Sequence, residues 1–325
     1  MVWRINSSVR CPSLFGFSSV PDNHSCIDGS SVGKEMQVFD KTISTILRDK
    51  LGKIEKHFLS DAVFYYGEIH PTFEKYFRDF LEDLKTRRRS QKDKLVIFLN
   101  TPGGSAETAE KMVEIIRHHY AEVYFVVPDY AMSAGTILCM SGNKIFMDYS
   151  SSLGPIDPQI HNGKEYVPAL GYLDQVAKLI EKSRNGTITD AEFAILQNLD
   201  LATLSSYEQA KELSITLTKR WLVEYKFKDW TVHRTDPAKK GQPVLLAEKE
   251  SRADEIAKKL SDNQEWHSHG RSIGVGKLRD LLKIEIDDYS RDAKLRPLIR
   301  EYNDLIIEYI RRGNFRVFLH SRYYF

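Results

Sequence analysis

The sequence lacks the features of a secreted, membrane-embedded or disordered chain. Its 325 residues include only three cysteines, Cys11, Cys26 and Cys139. Three cannot all pair, and their spacing suits no metal site. Cys139 falls in an apolar helical stretch, where a small buried thiol is the ordinary reading. No uninterrupted apolar run approaches the roughly 18 residues that a membrane helix needs. The N-terminal segment scatters Ser, Gly, Asp and Cys around short apolar pieces such as Leu14–Phe17, without the continuous apolar stretch of a signal peptide. An excess of one charge is missing too. The 47 basic and 45 acidic residues leave a net charge of +2, which gives no ground for nucleic acid or an anionic membrane as a partner. A soluble, unexported, cytoplasmic protein without a membrane span is the expectation. What the chain does have is 42% apolar residues, enough for a sizeable core in one large or two smaller domains.

Read along its length, residues 1–34 are irregular, rich in Ser, Pro and Gly, and suggest a loosely attached tail. From Glu35 to about Phe58, Ile43, Ile46, Leu47, Leu51 and Ile54 recur at helical spacing. Ala62–Tyr66 reads as a strand and Phe73–Leu84 as an amphipathic helix, followed by a basic linker, residues 87–92, whose ordinary role is a solvated loop. Two short apolar runs, Leu95–Leu99 and Val123–Val127, and a third strand at Lys144–Met147 alternate with helical patterns at Ala106–His119 and Ser133–Met140. Continuous apolar strands between helices predict a parallel sheet covered on both faces, an α/β core over roughly 60–160. Beyond Pro168 helical patterns dominate: Leu170–Lys182, Ala191–Leu199, Ser205–Phe227, Arg252–Leu260, Val275–Leu282 and Leu298–Arg311. A strand candidate follows at Arg316–Leu319. Three parts are expected: the tail (1–34), a catalytic α/β core (35–168) and a mostly helical C-terminal region (169–325) that returns to the site.

Two turns carry the chemistry. Asn100-Thr101-Pro102-Gly103-Gly104-Ser105 closes the first apolar run. Paired glycines there allow a sharp turn that exposes a backbone N–H. Such a turn serves as an anion cradle, as an oxyanion hole, or simply as a strand-to-helix connection. Ala131-Met132-Ser133-Ala134-Gly135-Thr136 follows the second run and opens a helix. A serine there can present its hydroxyl beside the next amide, although the glycine-flanked pattern of a hydrolase elbow is absent and a serine at a helix start is more often an N-cap.

Taken in order, the Gly-Gly turn, one helix, one strand and the small-residue serine turn resemble the Clp-type serine peptidases and the wider crotonase-like superfamily. The run Ser152-Leu153-Gly154-Pro155-Ile156-Asp157-Pro158-Gln159 is similar to that of the serine dehydrogenase proteinase family, related to Clp proteases and signal peptide peptidase A. The resemblance covers about residues 60–170 and, more weakly, 250–287. It implies a Clp/crotonase-like fold, Ser133 as nucleophile, and Gly103, Gly104 and Ala134 around the oxyanion hole. Clp proteases place a histidine about two dozen residues after the nucleophile. Here Asp157 stands 24 positions beyond Ser133, and the resemblance instead implies the chain order Ser, Asp, His.

The histidine must come from downstream, and within Trp266-His267-Ser268-His269-Gly270-Arg271 the better match is His269. An imidazole suits proton removal near neutral pH, and Asp157 would orient it. His267 and His161 are rival bases, and a His-x-His pair is also an ordinary surface feature. A Ser–Lys dyad would use Lys178, 45 positions after the serine, or Lys164, if burial favours a neutral amine. Asp157 can equally be a turn cap and no more.

The expected function is an ATP-independent serine peptidase acting on proteins or peptides through an acyl-enzyme. It is expected to assemble as a homo-oligomer and to use no cofactor or metal. The chain has no phosphate-binding loop of the G-x-x-x-x-G-K-[ST] type, so any unfoldase would be a separate subunit. A crotonase-like acyl-CoA enzyme or a non-catalytic scaffold of the same fold are the alternatives.

Overall fold

The computed structural model describes residues 29–87, 92–161 and 166–325. Cys11, Cys26, Lys164, most of the tail and most of the basic linker lie outside the described residues. Within them, α1 (Gly29–Phe58) leads into β1 (Asp61–Tyr66), α2 (Glu74–Arg87), β2 (Lys94–Asn100), α3 (Ala106–His119) and β3 (Glu122–Val127). There follow β4 (Tyr130–Ala131), α4 (Ala134–Met140), β5 (Lys144–Met147) and β6 (Ser152–Leu153). A hairpin of β7 (Gln159–His161) and β8 (Tyr166–Pro168) precedes α5 (Ala169–Arg184), α6 (Asp190–Gln197) and α7 (Leu201–Trp221). The chain continues through α8 (Leu246–Leu260), α9 (Asn263–Trp266), α10 (Val275–Asp280), β9 (Asp287–Asp288), α11 (Leu295–Gly313) and β10 (Phe318–His320). No described helix is long and apolar enough to cross a membrane.

The fold is mixed α/β around one mostly parallel sheet, in the order β10-β1-β2-β3-β5-β9, with only β10 antiparallel to its neighbour. The two central apolar runs pair in parallel, Leu95 beside Val123 and Ile97 beside Phe125. Side chains alternate across a strand, so each run feeds two cores. Val63, Tyr65, Leu95, Ile97, Leu99, Val123, Phe125 and Val127 face one side, where α2, α3, α4, α7 and α8 cover them. Ala62, Phe64, Val96, Phe98, Tyr124 and Val126 face the other, against α1 and α11. Burial on both faces explains why these strands read as unbroken apolar stretches. On the second face Leu47, Leu51 and Ile54 of α1 meet Ile299, Tyr302 and Ile306 of α11, and the Tyr302 ring stands edge-on to Phe64 and Phe98 at 6.0 and 5.2 Å. Cys139 is fully buried in α4, and burial pushes its thiol up.

The structure departs from sequence expectation in its small elements. Helix α1 begins at Gly29 rather than Glu35. The helix read over 205–227 ends at Trp221 and gives way to a wider turn in which Phe227 N–H reaches Leu222 O (2.7 Å). The two-residue strands β4, β6 and β9 are too short to show a period and were not legible. Residues from the C-terminal region form both edges of the central sheet, β9 beside β5 and β10 beside β1.

Helix α11 is further pinned by an ion pair. The Asp148 carboxylate, fully buried just after β5, accepts from Arg300 Nε (3.1 Å) and Nη2 (2.5 Å) and from the Ser150 amide (2.9 Å) and hydroxyl (2.8 Å). Burial pushes this carboxyl upward, but the Arg300 and Ser150 hydrogen bonds outweigh it and hold the group below the usual carboxylate range. A depressed folded pKa contributes stability that is present above the unfolded value and lost as pH falls through the folded one. Replacing Arg300 by Ala leaves the buried carboxylate with the Ser150 hydrogen bonds and Arg296 Nε at 3.8 Å, and removes its nearest countercharge. It is expected to cost about 3 kcal/mol at pH 7, the low end for breaking a buried pair, because the guanidinium is partly in solvent. Urea unfolding at pH 7 and below pH 4 checks this: the gap between wild type and Arg300→Ala should narrow as Asp148 protonates.

Candidate active site

All the parallel strands deliver their connections to one end of the sheet, where strand-to-helix loops gather. There the chain pairs a second time, in a short row of its own. Ile69 runs beside Gly104, Thr101 beside Ala131, β4 beside β6, and Leu153 antiparallel to Ile273. The links are main-chain hydrogen bonds: Ile69 N–H to Gly103 O (2.8 Å), Ser105 N–H to Ile69 O (2.9 Å), and Thr101 N–H to Tyr130 O (3.1 Å). Met132 N–H then reaches Thr101 O (3.0 Å), and Leu153 and Ile273 exchange two bonds (3.1 and 2.8 Å). This row brings the glycine turn, the serine turn, the Gly-Pro-Ile-Asp-Pro run and the segment after His269 side by side.

The two glycines are sterically required. Gly103 (φ +105°) and Gly104 (φ +143°) hold backbone conformations that side chains disfavour. A Cβ on Gly104 would lie 2.0 Å from Ile69 O, and one on Gly103 would lie 2.7 Å from Ser133 Cβ and 3.4 Å from Ala134 N. The glycine turn and the serine turn therefore touch at Gly103. Among the described residues, neither the Gly104 N–H nor the Ala134 N–H has an acceptor. Both unpaired amides flank the same contact, and unpaired amides next to a serine are the arrangement an oxyanion needs.

Ser133 itself sits at φ +52°, ψ −118°, an uncommon conformation for a residue with a side chain, and its hydroxyl makes no capping bond to α4. The N-cap role open in the sequence is thus not the one adopted. Three residues on, the buried Thr136 hydroxyl lies 2.9 Å from Ala131 O and 2.8 Å from Gly154 O, and it accepts the Gly154 N–H (2.9 Å). It ties the serine turn to the run that leads to Asp157.

Asp157 and His269 meet. His269 Nδ1 is 2.9 Å from Asp157 Oδ1, with the carboxylate buried and the ring partly exposed. Their meeting follows from register. Asp157 lies four residues after Leu153 and His269 four residues before Ile273, so the antiparallel Leu153–Ile273 bridge brings the two level. With the carboxylate accepting, Nδ1 carries the hydrogen and Nε2 is left as the basic nitrogen. Asp157 Oδ2 has no partner among the described residues. Ser133 makes no hydrogen bond to His269, so the Asp–His half of the constellation is joined and the Ser–His link is open.

The rival bases stand elsewhere. Lys178 is exposed on α5, without the burial that a lysine base requires. His267 is exposed at φ +61°, and His161 is on β7 opposite Tyr166, its side chain outside the described residues. Among the described residues no group of three or more His, Cys, Asp and Glu side chains is placed to hold a metal ion. Sequence reasoning missed Thr136 and Ile69, whose roles are set by partners distant in the chain and leave no local pattern.

Residues 75–234 match the family model of the ClpP-like SDH-type serine proteinases. The span includes Gly103, Gly104, Ser133, Ala134 and Asp157 and stops before His269. The family resemblance carried by the two turns and the run ending in Asp157 therefore holds over this stretch. Two uncharacterized proteins of Methanocaldococcus jannaschii are 35% and 28% identical over 158 and 157 residues, in each case 45% of this chain. Those alignments cover 54% and 52% of the two proteins, so the chain spans about half the length of the curated relatives it matches. Among solved structures, two variants of the 1510-N membrane-bound stomatin-specific protease, one in complex with a substrate peptide, align with TM-scores of 0.41. Their identities are 14% and 16%, and the alignments cover 73% and 72% of this chain and 82% and 76% of theirs.

The Thr136 bridge yields a direct test. Thr136→Val keeps the shape but leaves the Gly154 N–H without an acceptor in a buried place, an expected cost of about 1–3 kcal/mol. Thr136→Ser keeps the hydroxyl and should recover the polar part of that loss. Denaturant midpoints of the three proteins decide it; equal midpoints for Val and wild type would show that the bridge contributes nothing.

Proposed function

We propose that this protein is a serine peptidase that hydrolyses peptide bonds in protein or peptide substrates through an acyl-enzyme on Ser133. The observation that carries this reading is the joined Asp157–His269 pair, brought level by the Leu153–Ile273 bridge of the same row that lays the Ser133 turn beside the glycine turn, with an unpaired amide in each. The family match over residues 75–234 supports it.

In the proposed reaction His269 Nε2 takes the Ser133 hydroxyl proton as Oγ attacks the substrate carbonyl carbon. The electron pair displaced onto the carbonyl oxygen is held by the Gly104 and Ala134 amides. On collapse the C–N bond breaks, and His269 returns the proton to the departing amine. A water, deprotonated by His269, then attacks the ester, releasing the carboxylate product and restoring Ser133. Asp157 keeps the imidazole in the required tautomer and stabilises it as a cation. No cofactor enters these steps. An open Ser–His distance is compatible with the scheme, because such contacts commonly tighten only when substrate binds.

Ser133→Ala and His269→Ala are each expected to lower kcat by about 10³-fold or more with the fold retained, and Asp157→Asn by roughly 10²- to 10⁴-fold. The Ser133/His269 double variant should be scarcely worse than either single change, since the residues act as one unit. A fluorophosphonate probe should label Ser133 in the wild type. Unchanged hydrolysis by Ser133→Ala, or no labelling of a folded wild type, would turn the reading toward an acyl-CoA enzyme or a scaffold of the same fold. Wild-type rates in His269→Ala would remove histidine from the mechanism.

A further inference from the structure

Outside the site just described, one buried side chain touches both of its turns from the far end of the chain. Asn303, 1% exposed on α11, accepts at Oδ1 from Asn100 Nδ2 (2.9 Å) and donates from Nδ2 to Asp129 Oδ2 (2.8 Å). Asn100 ends β2 and immediately precedes the Thr101–Gly104 turn. Asp129 immediately precedes β4 and lies four positions before Ser133. Asn100 also accepts the Tyr130 N–H at Oδ1 (3.4 Å), closing a loop of contacts from Asn303 through both turns.

The polarity of this chain is dictated link by link. Asp129 Oδ2 accepts, so it faces the NH₂ of Asn303, which leaves the Asn303 oxygen toward Asn100. Asn100 must then offer its own NH₂, which leaves its oxygen for the Tyr130 amide. Reversing any one amide would set two donors or two acceptors face to face, so the network fixes one geometry rather than several. Through it α11, already held by Asp148 and by the second core, grips the starts of the two turns whose separation sets the Gly103–Ser133–Ala134 contact.

We propose that Asn303 is a positioning residue. It sets the distance between the glycine turn and the serine turn, so that the oxyanion donors and the Ser133 hydroxyl converge. The proposal rests on the serine-peptidase reading. Displacing a reacting group by about 1 Å costs roughly 10²-fold in rate, so a clamp on both turns acts mainly on kcat.

The test exchanges the two polar partners. Asn303→Asp sets a carboxylate against Asp129. It should lower kcat and the rate of fluorophosphonate labelling together by about 10- to 100-fold, with KM changed no more than about twofold. Combining Asn303→Asp with Asp129→Asn restores the pattern with the charge moved, because the new carboxylate accepts from both neighbouring amides. That double variant should recover labelling and kcat to within about threefold of wild type. Should Asn303→Asp fail to fold, Asn303→Ser, too short to span both partners, is expected to show the same kcat-selective loss. Labelling of a folded Asn303→Asp or Asn303→Ser at the wild-type rate would overturn the proposal, as would a folded double variant no better than the single. If the wild type itself is not labelled at Ser133, the peptidase reading fails and the proposal falls with it, an outcome distinct from normal wild-type labelling with insensitive variants.

Discussion

The arrangement of the site depends on the short row of main-chain bridges laid across the loop end of the central sheet. A parallel sheet gathers its strand-to-helix connections at one end but does not align them with one another. Here backbone hydrogen bonds do so, from Ile69 through Gly104, Thr101, Ala131 and Leu153 to Ile273. Main-chain pairing leaves little freedom in register, so residues at fixed offsets from the row meet across it. The Asp157–His269 contact arises in this way, and so does the contact of Ser133 with Gly103.

The row makes strong demands on the side chains near it. It leaves no room for a Cβ at Gly103 or Gly104 and holds Ser133 in an uncommon backbone conformation. It also requires hydroxyls or carboxamides wherever a buried main-chain group would lack a partner, at Thr101 for Gly103 N–H and at Thr136 for Gly154 N–H. Strain of this kind persists only where the surroundings over-determine it. The surroundings here are two cores on opposite faces of one sheet, with α11 fastened by Asp148 on the second face and α4 buried in the first.

The C-terminal region is more than a cover. Through β9 and β10 it forms the edges of the central sheet, and through the segment 260–273 it carries the histidine. Ile156 N–H is bonded to Leu260 O (2.9 Å), next to the Leu153–Ile273 bridge, so the run that holds Asp157 is clasped by α8 and by the strand-like segment after His269. The Asp157–His269 pair is thus assembled from segments 112 positions apart in sequence, and it forms only when those segments dock on one another.

Much of the fold was legible in the sequence for a simple reason. Strands buried on both faces leave unbroken apolar runs and helices buried on one leave a helical period, and these signals marked β1, β2, β3, β5, α3 and α11 nearly at their limits. The glycine and serine turns were legible as well, because paired glycines and small residues at strand ends carry local meaning. The pairing of Asp157 with His269 was readable only through resemblance, since neither residue is marked by a local pattern. The roles of Ile69, Thr136 and Asn303, the two-residue strands and the backbone conformation of Ser133 were decided by tertiary structure alone. Each depends on which segment lies alongside which. Residues separated by as many as 203 positions carry no shared periodicity to reveal that they touch.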